Sequence, residues 1–94
     1  MDLAFEWDED KGNLNEAKHG VSFEEAKTIF NDPFAMTIPD PDHSDEEEHW
    51  LDIGLSAEGR LLVVWYTERR ARIRIIGSRK ATKAEERAYA HERT

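Results

Sequence analysis

With 94 residues, of which 36% are charged and 38% hydrophobic, the chain is long enough for one modest core and too short for a catalytic domain plus a separate regulatory one. It has no cysteine, which excludes a disulfide framework and thiolate metal sites. It also lacks a long apolar run and a basic start followed by an apolar stretch, so neither membrane spanning nor export is expected and a reducing cytoplasm is the expected setting.

In chain order, Leu3-Ala4-Phe5-Glu6-Trp7 alternates enough for a short strand. A weak first helix follows, capped by Asp10 or Asn13, with Leu14 and Ala17 as a thin apolar stripe and Gly20 where a left-handed terminal residue is wanted. Ser22-Phe23-Glu24-Glu25 is a capping box, the Ser22 hydroxyl accepting from the Glu25 amide and the Glu25 carboxylate reaching back to the Ser22 amide. The second helix it opens has Phe23, Ala26 and Phe30 on one face and stops at Asp32-Pro33. Phe34–Ile38 reads as a strand, Pro39-Asp40-Pro41-Asp42 as a turn, and Asp42–Glu48 as an acidic loop. Leu51, Ile53 and Leu55 then alternate with Asp52, Gly54 and Ser56, predicting a half-buried strand closed by the turn Ala57-Glu58-Gly59. The run Leu61–Tyr66 suits a central strand covered on both faces. A turn at Glu68-Arg69-Arg70 leads to the alternating strand Arg72–Ile76, and a second capping box, Thr82–Glu85, opens a last helix carrying Ala84, Ala88 and Tyr89. This order predicts a single α+β domain over residues 1–94 with antiparallel strand pairing, two N-terminal helices and one C-terminal helix.

The net charge of −8 argues, taken alone, against a nucleic-acid protein, because phosphate binding relies on positive potential. Its distribution argues otherwise. Residues 1–59 hold 17 Asp and Glu against 3 Lys, whereas residues 60–94 hold 4 Glu against 10 Lys and Arg. The basic half is therefore where an anion-binding face belongs; the plainer alternative is that these cations solvate a sheet and a terminal helix.

Five ordered blocks carry a family resemblance. They are Phe5-Glu6-Trp7-Asp8; Lys18-His19-Gly20-Val21 with Ser22-Phe23-Glu24-Glu25-Ala26; Asp42-His43-Ser44 with Glu46-Glu47; Gly59-Arg60-Leu61-Leu62-Val63-Val64 with Tyr66-Thr67-Glu68-Arg69; and Ile73-Arg74-Ile75-Ile76 with Ser78-Arg79-Lys80-Ala81-Thr82. In order and spacing they resemble the BrnT family of bacterial toxins over roughly residues 5–89. The resemblance implies a RelE-like fold, a small antiparallel sheet flanked by helices, and ribonuclease activity that halts translation. It also implies neutralisation by a BrnA-like ribbon-helix-helix antitoxin, with DNA bound only through that partner. Two departures stand out: His49 where the family usually has an arginine, and Gly77-Ser78-Arg79 where it commonly has Ser-Ala-Arg. The first replaces a permanent cation by an imidazole that can carry a proton, which either weakens phosphate binding or adds acid–base chemistry.

RNA cleavage without metal needs the ribose 2′-hydroxyl deprotonated, the charge on the phosphorane stabilised and the departing 5′-oxygen protonated. Arginine suits the second task because its fork donates to two phosphate oxygens and keeps its charge. Arg79 is the first candidate: it ends the last strand before a capped helix, and the resemblance places a functional arginine there, with a surface ion pair to that helix as the plainer, less favoured alternative. Arg74 projects opposite its isoleucine neighbours and either lines the RNA face or solvates the sheet. For proton transfer the candidates are His19, more simply a helix-end residue complementing the dipole, and His49; His43, Glu47 and Tyr89 are weaker. Lys18, Arg69, Arg70, Lys80 and Lys83 complete the RNA-binding candidates. No cofactor is indicated, and the acidic run with His43 and His49 reads better as solvated charge than as a divalent-metal site, since it lacks a defined loop geometry. Two other readings compete: a BrnT-like binding module that pairs with its antitoxin but cleaves poorly, and a plain interaction protein using its acidic loop.

Overall fold

The computed structural model describes residues 3–40 and 47–92. Five strands, β1 (Ala4–Glu6), β2 (Met36–Pro39), β3 (His49–Leu55), β4 (Leu61–Arg69) and β5 (Arg72–Lys80), form one sheet in the order β1-β5-β4-β3-β2. Helices α1 (Glu9–His19), α2 (Phe23–Ala26) and α3 (Lys83–Glu92) complete the fold, with a 310 helix (Lys27–Asn31) prolonging α2. Strands β2 to β5 form the expected antiparallel meander. The sheet is nevertheless mixed, because β1 pairs with β5 in parallel, Phe5 opposite Ile73. The first helices carry the chain from one sheet edge to the other, so β1 is left beside the last strand instead of joining the meander.

Helix α1 begins two residues earlier than its expected Asp10 cap: the Asp8 carboxylate accepts from the Lys11 amide at 3.0 Å. Gly20 ends the helix as expected, at φ 71°, its amide donating to Glu16 O at 2.8 Å. The expected Leu14–Ala17 stripe faces solvent, with Leu14 70% exposed. What holds α1 is polar: the Asn15 side chain bonds both the carbonyl (2.9 Å) and the amide (3.1 Å) of Ser78 on β5, and donates to Val21 O.

Half of the first capping box forms. Ser22 Oγ accepts from the Glu25 amide at 3.1 Å, but the Glu25 carboxylate turns inward. Only 5% exposed, it pairs with the Arg60 guanidinium and accepts from Ser56 Oγ at 2.7 Å, tying α2 to the β3–β4 hairpin. Arg60 also donates to Gly20 O, closing the end of α1. As the helix tightens into the 310 segment, Ile29 takes the buried position expected of Phe30.

Two apolar clusters lie on opposite faces of the sheet. Val21, Phe23, Ala26 and Ile29 pack with Leu62, Val64 and Ile75 on the face covered by α1 and α2. On the other face Ile53 and Val63 pack under Tyr89 of α3. Strand β3 is therefore not half-buried in the expected sense: Asp52, Gly54 and Ser56 are buried beneath the α2 layer, whereas Leu55 is exposed. Gly54 passes close under Ile29 and Ala35, where a larger residue would crowd both.

Candidate nucleic-acid interface

Residues opposite one another in a ladder project to the same face, so the register determines which side chains meet. Thr67 of β4 lies opposite His49 of β3 and Arg74 of β5, and Arg74 lies opposite Glu6 of β1. The four side chains form one row across four strands, on the face that carries α3. The neighbouring row holds Arg69 and Arg72, which flank the β4–β5 turn. On the other side lies Trp65, opposite Leu51 and Gly77, and beyond it Val63 with Arg79. Helix α3, anchored by Tyr89 on Ile53 and Val63, covers the Arg79 end of this face. A shallow depression of about 360 Å³ lies between Glu6, Arg69, Arg70 and Arg72.

Carboxylates hold three of these arginines. Arg69 makes a bidentate pair with Glu47, both contacts 2.7 Å, and its Nε and Nη2 donors are engaged. Arg74 Nη1 donates to Glu6 at 2.9 Å. Arg79 makes a bidentate pair with Glu85 at 2.7 and 3.0 Å, the ion pair weighed as its simpler role. Glu85 also completes the second capping box, accepting from the Thr82 amide while Thr82 Oγ accepts from the Glu85 amide. These donors hold the Glu85 carboxyl well below its ordinary range, at about 2, with the Arg79 hydrogen bonds the largest cause. The Arg69 guanidinium similarly lowers Glu47.

The register brings together Arg74, His49, Arg69 and, past Trp65, Arg79; Arg70 lies nearby in the turn. It does not bring in the remaining candidates. Lys18 and His19 end α1, on the sheet's other side. Lys80 lies opposite Leu62 and so projects to that same helical side. Lys83 begins α3 with its side chain 87% exposed. His43, and with it most of the acidic loop, falls outside the described residues. Sequence reading did not single out Thr67, Glu6, Trp65 or Arg72 as members of this face. Only the register assembles them, and the turn that sets the register falls at Arg70-Ala71, one residue later than expected. Among the described residues no three His, Asp or Glu side chains converge as metal ligands do, and no helix is long and apolar enough to cross a membrane.

The arrangement defines an α+β protein with cations and an imidazole gathered on one partly open sheet face. A family model described as the ribonuclease toxin, BrnT, of type II toxin–antitoxin systems matches residues 7–85, and the chain belongs to that family. Membership implies an antitoxin partner. Among solved structures the chain is similar to the Brucella abortus ribonuclease toxin BrnT, with 21% identity and a TM-score of 0.67 over 87% of this chain and all of that one. At that identity the likeness speaks for the fold. A comparison with curated protein sequences finds no match.

Proposed function

We propose that this chain is an endoribonuclease toxin that cleaves single-stranded RNA on the α3 face of its sheet without a metal ion and thereby stops translation. The observation that carries this reading is the row Glu6, Arg74, Thr67, His49, with Arg69 and Arg72 beside it. His49 and Arg74 stand two strands apart, about 10 Å between backbones, a gap that a phosphodiester can bridge. In this reading Arg74 and Arg69 take the phosphate oxygens as their carboxylates are displaced, and stabilise the charge of the phosphorane. His49 is the proton-transfer group. The 2′-oxygen attacks phosphorus, its proton passes to a base, the bond from phosphorus to the 5′-oxygen breaks, and that oxygen gains a proton, leaving a 2′,3′-cyclic phosphate. Arg79, Arg70 and Arg72 extend the cationic track. Lys18, His19, Lys80 and Lys83 contact, at most, RNA that wraps beyond this face.

The fold in this reading is RelE-like, and the antitoxin is a BrnA-like ribbon-helix-helix protein that supplies the DNA binding of the complex. The acidic front half favours a basic partner. The test is incubation of the purified chain with single-stranded RNA in the presence of a chelator. Cyclic-phosphate ends that disappear with Arg74→Ala and fall sharply with His49→Ala are expected; cleavage unchanged in both variants contradicts the assignment. One observation favours a second reading, a binding module with weak activity: Arg69, Arg74 and Arg79 are each already neutralised by a carboxylate. An intact fold that binds antitoxin but leaves RNA uncut selects it.

A further inference from the structure

Strand β5 carries Arg74, Gly77 and Arg79 on the α3 face, the odd spacing being absorbed by a bulge opposite Trp65 and Tyr66. The gap above Gly77, between the two arginines, is filled from the neighbouring strand by Trp65. A Cβ on Gly77 would lie 2.5–2.6 Å from indole Cε2, Cζ2 and Nε1, so the indole rests directly on the glycine backbone and no other residue leaves it room. This accounts for Gly77, where the family commonly has serine: the side chain is absent because the indole occupies its place. The ring is not enclosed there. It packs against the Ile53, Val63 and Tyr89 cluster on one side and remains partly exposed, next to the row in which Thr67 is buried and Arg74 and His49 are partly exposed. On the same strand face Arg74 and Arg79 stand to either side of Gly77, their guanidinium groups held by Glu6 and Glu85. A half-buried aromatic on a face that carries cations to either side is the arrangement by which proteins hold unpaired nucleotides: the phosphates go to the cations and a base lies on the ring.

Resting on the RNA reading of this face, we infer that the Trp65 indole is the platform on which one unpaired base of the substrate stacks, with the phosphates on either side of that nucleotide directed to Arg74 and Arg79. Trp65 thereby sets where along a strand the backbone is presented to Arg74 and His49. It also requires the strand to be single, because a base paired in a duplex has no free face to offer.

The test uses two uncleavable probes of equal charge: a 2′-O-methyl hexa-adenylate, and a hexamer of the same backbone lacking bases. Fluorescence anisotropy measures their binding to the full chain, and quenching of tryptophan emission is followed in parallel. The wild type is expected to bind the base-bearing probe about tenfold more tightly than the abasic one, the scale of one stacked base, with quenching by the former only. Trp65→Leu is expected to lose that preference while binding the abasic probe as the wild type does; Trp65→Phe, which keeps a smaller ring, retains part of it. A wild type that binds both probes equally, or a Trp65→Leu protein that keeps the full preference, overturns the stacking inference while leaving the RNA reading intact. Failure of the wild type to bind either probe overturns the RNA reading and the inference together. Should Trp65→Leu not fold, Trp65→Phe and the wild-type quenching decide.

Discussion

Glu25 shows how much one side chain can hold in a chain this small. It is almost fully buried, and its carboxylate joins α2, the β3–β4 hairpin and, through Arg60, the end of α1. The Arg60 hydrogen bonds, the largest influence on it, hold its pKa below the ordinary carboxylate value despite burial. Removing one partner of such a pair leaves the other group desolvated, so Glu25→Gln is expected to cost about 3 kcal/mol, read as a lower denaturant midpoint with an unchanged slope; a loss below about 0.5 kcal/mol, the scale of an exposed pair, would contradict this account. The capping box in the sequence correctly marked the start of α2, yet Glu25's second role was invisible there. Nothing local says that Arg60, 35 positions away, will outbid the Ser22 amide. Asp52 is a contrasting case. Burial raises its carboxyl above the ordinary value, with Tyr66 Oη donating to it at 2.9 Å, on a strand position that alternation alone assigned to solvent.

Two elements frame the candidate face, the β4–β5 turn and helix α3. The β4–β5 turn places Arg70 and Ala71 at φ 50° and 66°, both left-handed, without glycine or asparagine. Ala71→Gly is therefore expected to stabilise the protein by about 1 kcal/mol, measured by chemical denaturation; a loss of stability would show that the strain is illusory. The same change relaxes the hairpin that presents Arg69 and Arg72. Helix α3 is fastened at its start by Glu85, whose carboxyl sits at about 2 when folded against an ordinary 4.5. A lowered folded value means the stabilisation is complete above the ordinary value and is lost as pH falls from about 4.5 toward 2. The protection of α3 amides, measured against their intrinsic exchange rate at each pH, should fall across that window and stay constant there in Glu85→Gln. Protection in the wild type that stays constant down to pH 2 would contradict the assignment. Helix α1 was the least legible element, since its buried contact is the polar residue Asn15 and its leucine faces outward, inverting the usual stripe.

At the scale of the molecule, a chain of net charge −8 gathers Arg69, Arg70, Arg72, Arg74 and Arg79 on or beside one sheet face and covers three of them with carboxylates. In the proposed reading those carboxylates compete with RNA. Freeing Arg69 by Glu47→Gln is expected to tighten RNA binding several-fold at low salt. With one phosphate shared by Arg69 and Arg74 and one each on Arg72 and Arg79, three in all, log affinity should fall against log salt with a slope of roughly −2; a slope near zero would mean that the face does not bind phosphate. The antiparallel meander was legible because each strand declares its own extent, although the alternation in β3 assigned Asp52 and Ser56 to the wrong side, and the arginines could be named as candidates from their place in the basic half. Which of them share a face was not, because that depends on a turn position and a bulge that no local pattern marks. The parallel β1–β5 pair was hidden for a related reason: the sequence shows where a strand is, while the choice between two sheet edges is made by how the helices cross the core.

The most direct measurement is growth of a bacterial host after induced expression of the chain without antitoxin, beside Arg74→Ala at equal protein level. The account predicts arrest by the wild type, relieved by the substitution and reversed by co-expressed antitoxin. Unimpeded growth with folded wild-type protein, or arrest that persists unchanged in Arg74→Ala, would contradict it.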